Sequence, residues 1–200
     1  MSKPTIYKNN EKNFLEQLKK SLKDPLIKKI LIRGYSWQLN FLTVLAALRE
    51  TNLTKGLLTT TDPENIPNLF ESAGIYHVKP HGMMPIPVRM VLMSFDKFSN
   101  KHHDNANMQF QILFPVEYWL TKEKGVLMLQ ETLYYSNFMK TIAITTSDYN
   151  TNPEELYPYV DEVHILDISD NNNKIDNKIL KDKYADLAAN FKSHGEQMPY

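Results

Sequence analysis

The stretch Ile27-Lys-Lys-Ile-Leu-Ile-Arg33, followed by Gly34-Tyr-Ser-Trp-Gln-Leu-Asn-Phe41, decides how the chain is read. An apolar strand turns through a glycine into a helix running to about Glu50, the place where a nucleotide-binding α/β protein carries its phosphate loop. Such a loop needs G-x-x-x-x-G-K-[ST]. Its glycines let backbone N–H groups curl around the phosphates, its lysine neutralises them, and its hydroxyl holds magnesium. Gly34 fits the first position, but Leu39 stands at the second glycine, Asn40 at the lysine and Phe41 at the hydroxyl. The stretch has the place of a phosphate loop without its chemistry.

Outward from this unit, strands and helices alternate. The helix from Leu39 to Leu48 is apolar nearly all round, which predicts burial against a sheet with neighbours on both sides. Upstream, residues 11–23 place Phe14, Leu15, Leu18 and Leu22 at helical spacing with lysines opposite, a surface helix ended by Asp24-Pro25. Downstream, strands are predicted at 55–61, 88–94, 140–146 and 162–168. A helix opens at Asp62-Pro63-Glu64, where an N-cap residue precedes proline, and stops at Gly74. Residues 75–87 hold three prolines and read as a loop with at most an edge strand. The polar stretch 97–107 reads as an exposed loop. Residues 109–120 fit either a strand or the start of a helix, interrupted by Pro115. Residues 126–139 read as a helix with Val126, Leu129, Leu133 and Phe138 near one face, and Pro153-Glu-Glu-Leu-Tyr157 as a short capped helix.

This alternation predicts an α/β fold of three layers, with a mostly parallel central sheet of five or more strands and helices on both faces, because parallel neighbours need crossover connections. The expected organisation is an N-terminal helix in 1–24 packed on the domain, an α/β domain over 25–169, and a polar linker with a C-terminal helix (179–191) and tail over 170–200.

The 200 residues contain 23 Lys+Arg and 23 Asp+Glu, so no global charge draws the chain to nucleic acid or to an acidic membrane. There is no cysteine, which excludes disulfides, thiolate zinc sites and a thiol nucleophile. No apolar run approaches the roughly 20 residues that span a bilayer. The expectation is a soluble, cytoplasmic protein without a cofactor.

The order of features resembles the RecA superfamily and, within it, the KaiC-like ATPases. The closest local match is Thr141-Ile-Ala-Ile-Thr-Thr-Ser-Asp148 followed by Tyr159-Val-Asp-Glu-Val-His-Ile-Leu166, and the resemblance spans roughly 25–168. It implies a RecA-like fold without the phosphate loop. It also implies a magnesium-binding aspartate closing the third strand, where this chain has Ser94, with Asp96 two positions on. The water-activating carboxylate of the family falls on the turn that keeps Asp62 and Glu64. With Asn40 in place of the lysine and Phe41 in place of the hydroxyl, the resemblance implies a degenerate, non-hydrolysing member. Such members act as binding, regulatory or assembly subunits.

Other readings compete with this one. The acids Asp62, Glu64, Asp96 and Asp148 could serve a metal-dependent phosphoester enzyme. The vestigial loop positions Gly34, Tyr35, Ser36, Trp37, Gln38 and Asn40 could hold an anion or nucleotide at the start of the helix, as in a sensor. His102, His103 and Asp104, with His81, have metal-ligating chemistry, although adjacent loop histidines usually point apart. Asp148 and Asp161 could pair at the C-terminal edge of the sheet, or cap a turn and begin a strand respectively. Ser36 lacks the second glycine of a nucleophile elbow. Trp119, Tyr134, Tyr135, Tyr149, Tyr157 and Tyr159 suit protein contact or core packing better than base stacking, since no basic stripe accompanies them. The expected partner is a protein or a second copy of the chain, with Tyr35 and Trp37 near the contact unless Trp37 covers its own helix.

Overall fold

A computed structural model describes residues 3–34, 36–61, 63–72, 83–84, 89–94, 108–145 and 151–166, together with Ala189 and Ser193. In chain order the elements are β1 (Thr5–Asn9), α1 (Glu11–Lys23), β2 (Lys29–Gly34), α2 (Trp37–Arg49), β3 (Lys55–Thr60), α3 (Ile66–Ser72), β4 (Met83–Met84) and β5 (Arg89–Ser94). They continue with β6 (Phe110–Leu113), α4 (Glu117–Leu120), α5 (Glu123–Tyr135), β7 (Lys140–Ile144), a 3-10 segment (Pro153–Tyr159) and β8 (Glu162–Leu166).

Alternation along the central strands creates two apolar layers. Ile30 and Ile32 of β2, Phe110 and Ile112 of β6, and Ile142 and Ile144 of β7 join Phe14, Leu18 and Leu22 of α1, Phe41, Val44, Leu45 and Leu48 of α2, and Phe70 of α3. The alternate residues Leu31, Leu113, Ala143, Val163 and Ile165 point the other way, onto Trp119, Val126, Leu129, Leu133 and Leu156. So α1, α2 and α3 cover one face, and α4, α5 and the 3-10 segment cover the other. The chain is α/β, with a mostly parallel sheet between helical layers.

The eight strands lie in the order β1-β8-β2-β7-β6-β3-β5-β4. All neighbours are parallel except the two-residue edge strand β4, which runs antiparallel to β5. Connections that cross the sheet in one direction, β1 to β2 and β2 to β3, use the first face. Those crossing back, β6 to β7 and β7 to β8, use the second, as a constant crossover hand demands. At the ends where the strands exit, β2 and its neighbour β7 therefore send their chains to opposite faces. A crevice outside the strand ends forms at such a switch point.

Helix α1 begins where predicted. Asn10 adopts an extended conformation and its side chain accepts the Asn13 N–H at 3.2 Å, which satisfies one orphan donor. Its far end is closed from a distance: the buried Lys140 ammonium donates to the Ser21 carbonyl at 2.9 Å and to the carbonyls of Asp24 and Ile27, placing positive charge at the negative helix terminus.

The structure departs from the sequence reading in several places. Thr5–Asn9 is a strand, parallel to β8, although its residues are mostly polar and largely exposed. As an edge strand it needs no apolar face, so no alternation announces it. Residues 63–65 form a turn and α3 starts only at Ile66, with Pro67 rather than Pro63 in its first turn. Helix α5 runs from Glu123 to Tyr135, so Phe138 lies beyond it. Residues 109–120 are both things in succession: β6, a cis Phe114–Pro115 bond, then α4. Residues 153–159 form a 3-10 helix with Pro158 inside it. Most of 75–87, all of 97–107, and the linker and helix expected over 170–191, apart from Ala189, lie outside the described residues. Among the described residues, no helix is long and apolar enough to cross a membrane.

Candidate functional site

The exit of β2 sits between β8 and β7, at the switch point just described. Gly34 has φ +157°, and a Cβ there would come within 2.8 Å of Asn40 Oδ1 and 3.2 Å of the Leu166 carbonyl. Glycine is required by close approach to the side chain of α2 and the end of β8. Ser36 is buried and caps α2. Its backbone is extended, its hydroxyl accepts the Leu39 N–H at 3.4 Å, and its carbonyl accepts the Asn40 N–H at 2.9 Å. The hydroxyl is thus committed to the helix start.

The three positions that break the phosphate-loop pattern all turn inward. Phe41 is fully buried, with its ring centroid 4.7 Å from Phe70 and 4.9 Å from Phe114. Leu39 is half-buried against the same cluster. Asn40 is 0% exposed, and its Nδ2 donates to the Thr145 carbonyl at 3.3 Å, tying the first turn of α2 to the end of β7. Asn40 Oδ1 and Thr145 Oγ1 are buried there without partners. Trp37 is half-buried with its ring 6.0 Å from Phe114, and Gln38 is half-buried. Tyr35 lies outside the described residues.

The opposite side of β2 carries a charged group that the sequence reading passed over as the end of an apolar strand. Arg33 is 2% exposed, and its Nη1 donates to Glu154 Oε1 at 2.6 Å and to the Tyr157 hydroxyl. A buried guanidinium needs such acceptors. The 3-10 segment supplies them, and so is anchored to the central strand.

Of the proposed acids, only Glu64 and Asp161 lie among the described residues. Strand β5, whose end the family resemblance gave to magnesium, pairs with β3. Four strand spacings separate it from β2, about 19 Å. Ser94 therefore closes a strand remote from the Gly34 turn. Glu64 is exposed in the turn before α3. Asp161 lies at the entry end of β8, not at the exit edge, where its Oδ2 accepts the N–H groups of Lys28 and Lys29 at 2.7 and 2.8 Å. It stands just before β8 and ties that strand's start to the start of β2. Asp62, His81, Asp96, His102, His103, Asp104 and Asp148 lie outside the described residues. No group of three or more His, Cys, Asp or Glu that could hold a metal occurs among the described residues.

A second polar cluster lies between α1 and the entry half of β8. His164 is 0% exposed, and its Nε2 is 2.9 Å from Glu162 Oε2 and 3.2 Å from Ser21 Oγ. Tyr7 donates to Glu162 Oε1 at 3.5 Å and its ring lies 5.1 Å from the imidazole. Serine, histidine and glutamate together suggest a hydrolytic triad, but the geometry refuses it. A triad uses one ring nitrogen for the serine and the other for the acid. Here both contact Nε2, Nδ1 is buried without a partner, and the Ser21 hydroxyl has the Gln17 carbonyl at 3.0 Å for its proton. The cluster is structural. The i, i+2 spacing of Glu162 and His164 on one strand face was its only signal in the sequence.

Of the aromatic series, Trp119 is buried, Tyr157 and Tyr159 are half-buried against the second core, and Tyr134 and Tyr135 are exposed. Tyr149 lies outside the described residues. No family model, curated protein or solved structure matches the chain.

Proposed function

We propose that the chain is a non-hydrolysing RecA/KaiC-like module that works by binding or assembling with protein. One observation carries this reading. Asn40, the residue in the place of the phosphate-binding lysine, is fully buried and spends its amide on the Thr145 carbonyl. A triphosphate entering this turn would meet no cation from Asn40 and no hydroxyl from Phe41, whose ring is packed between Phe70 and Phe114. The position of β2 inside the parallel sheet, with its turn at a switch point, supports the resemblance to the superfamily. The filling of that turn by the protein's own side chains supports loss of the ligand. Isothermal titration calorimetry with ATP and magnesium tests it. The expected result is no heat beyond dilution and no release of phosphate, whereas micromolar binding or turnover overturns the reading.

A further inference from the structure

We propose that α5 is the surface through which two copies of this chain pair, antiparallel about a two-fold axis. The proposal deepens the assembly reading above and rests on it for its biological meaning, but its argument comes from a different part of the molecule. Helix α5 buries Gly125, Val126, Leu129, Thr132 and Leu133 against the sheet. Its outward side is not the polar face that a solvent-exposed helix carries. Leu127 and Tyr134, seven residues apart, form one exposed apolar flank, and Met128 and Tyr135 form the other. Tyr118 of α4 and Met139 beyond the helix extend the surface at its two ends, Met139 and Tyr135 each 59% exposed. These six side chains expose on the order of 600 Å², the upper end for a lone monomer. With their polar rim they approach the roughly 800 Å² that each partner buries in a stable complex.

Charge selects the occupant. Between the two flanks runs a ridge of two exposed charges, Lys124 and Glu131, about 10 Å apart along the helix. Neither has an ion-pair partner among the described residues. A parallel copy of the helix would set lysine on lysine and glutamate on glutamate. An antiparallel copy, with the axis passing between Leu127 and Met128, sets Lys124 on the partner's Glu131 and Glu131 on the partner's Lys124. The same axis lies in the contact plane and keeps each flank on its own side, so it brings Leu127 beside the partner's Leu127 and Met128 beside the partner's Met128 and carries Tyr135 toward the partner's α4 end. The surface is complementary to itself, as an isologous interface must be.

Multi-angle light scattering on the full chain and on charge variants tests the pairing. The wild type at high micromolar concentration should have twice the mass of one chain. Lys124→Glu and Glu131→Lys should each be monomeric alone. Mixed together they should regain the dimer mass, because the mixed pair restores both opposite-charge contacts, and the double variant K124E/E131K should dimerise like the wild type. Both substituted positions are exposed, and an unchanged circular dichroism spectrum confirms folding. A monomeric wild type overturns the proposal, as do single variants that stay dimeric or a mixture that fails to recover. Calorimetry with ATP reads the other proposal separately: a monomer that ignores ATP removes only the α5 pairing, and a dimer that binds ATP removes only the non-hydrolysing reading.

Discussion

Burial alone would push the Glu162 carboxyl upward, yet its contacts with His164, Ser21 and Tyr7 outweigh that penalty and hold it below the usual carboxylate range. A carboxyl whose folded value lies below its unfolded value adds stability above the unfolded value, and that stability is lost as pH falls through the folded one. Glu162→Gln should therefore cost about 1–3 kcal/mol at neutral pH, the usual penalty for breaking a buried charged hydrogen bond. The gap to wild type should close on acidification, because the wild type then loses the same contribution. Urea unfolding midpoints followed from neutral pH down through the carboxylate range measure this, and a gap that stays constant contradicts it. Glu162 and His164 were readable as neighbours on one strand face. Their partner Ser21 lies 143 positions away in sequence from His164, beyond the reach of any local pattern.

The β2–α2 unit shows how an element can be recognised while its interior stays hidden. Strand, glycine and apolar helix are local features, set by side-chain period and by the freedom of glycine. What Asn40 does with its amide depends on where β7 ends, and β7 is about a hundred residues downstream. A coupling between neighbours follows. Gly34→Ala should lose about 1–3 kcal/mol, since its Cβ would be strained at positive φ and pressed on Asn40 Oδ1. In an Asn40→Ala background part of that clash is gone, so the second loss should be smaller than the first. A double-mutant cycle by chemical denaturation gives the coupling, and strict additivity would show that the contact is not made. Helix α1 makes the same point from both ends: its N-cap Asn10 is adjacent in sequence and legible, whereas Lys140, which closes the other end, is supplied by a strand on the far side of the chain.

Across the sheet, stability should fall from the centre outward. Strands β2 and β7 are paired on both sides and fully or almost fully buried, whereas β1 has one neighbour among the described residues and an exposed Ile6. Amide hydrogen exchange should give β2 and β7 the protection of global unfolding and β1 markedly less, because edge amides open in smaller units. Equal protection in β1 and β2 would mean that the N-terminal strand folds as part of the central unit. The strand order also separates two positions that lie close along the chain: between β2 and β5, whose end the resemblance gives to magnesium, the sheet inserts β7, β6 and β3. Order in sequence is not order in space once crossovers skip neighbours.

Read alone, the chain carried the alternation of apolar strands and helices, hence an α/β molecule with a mostly parallel sheet, and it showed that the phosphate-loop positions after Gly34 hold Asn40 and Phe41 in place of the lysine and the magnesium-binding hydroxyl. Both follow from residue identity and short-range period, which each stretch carries alone. The neighbours were set by contacts in three dimensions: that the exposed residues 5–9 join the sheet as β1, that Arg33 finds Glu154 and Tyr157, and that Asp161 sits at the entry rather than the exit edge. The same packing decided which apolar side chains of α5 face inward and which stand out. Those outcomes depend on contacts between segments far apart in the chain, whose energies are shared among many residues and written in no single window of sequence.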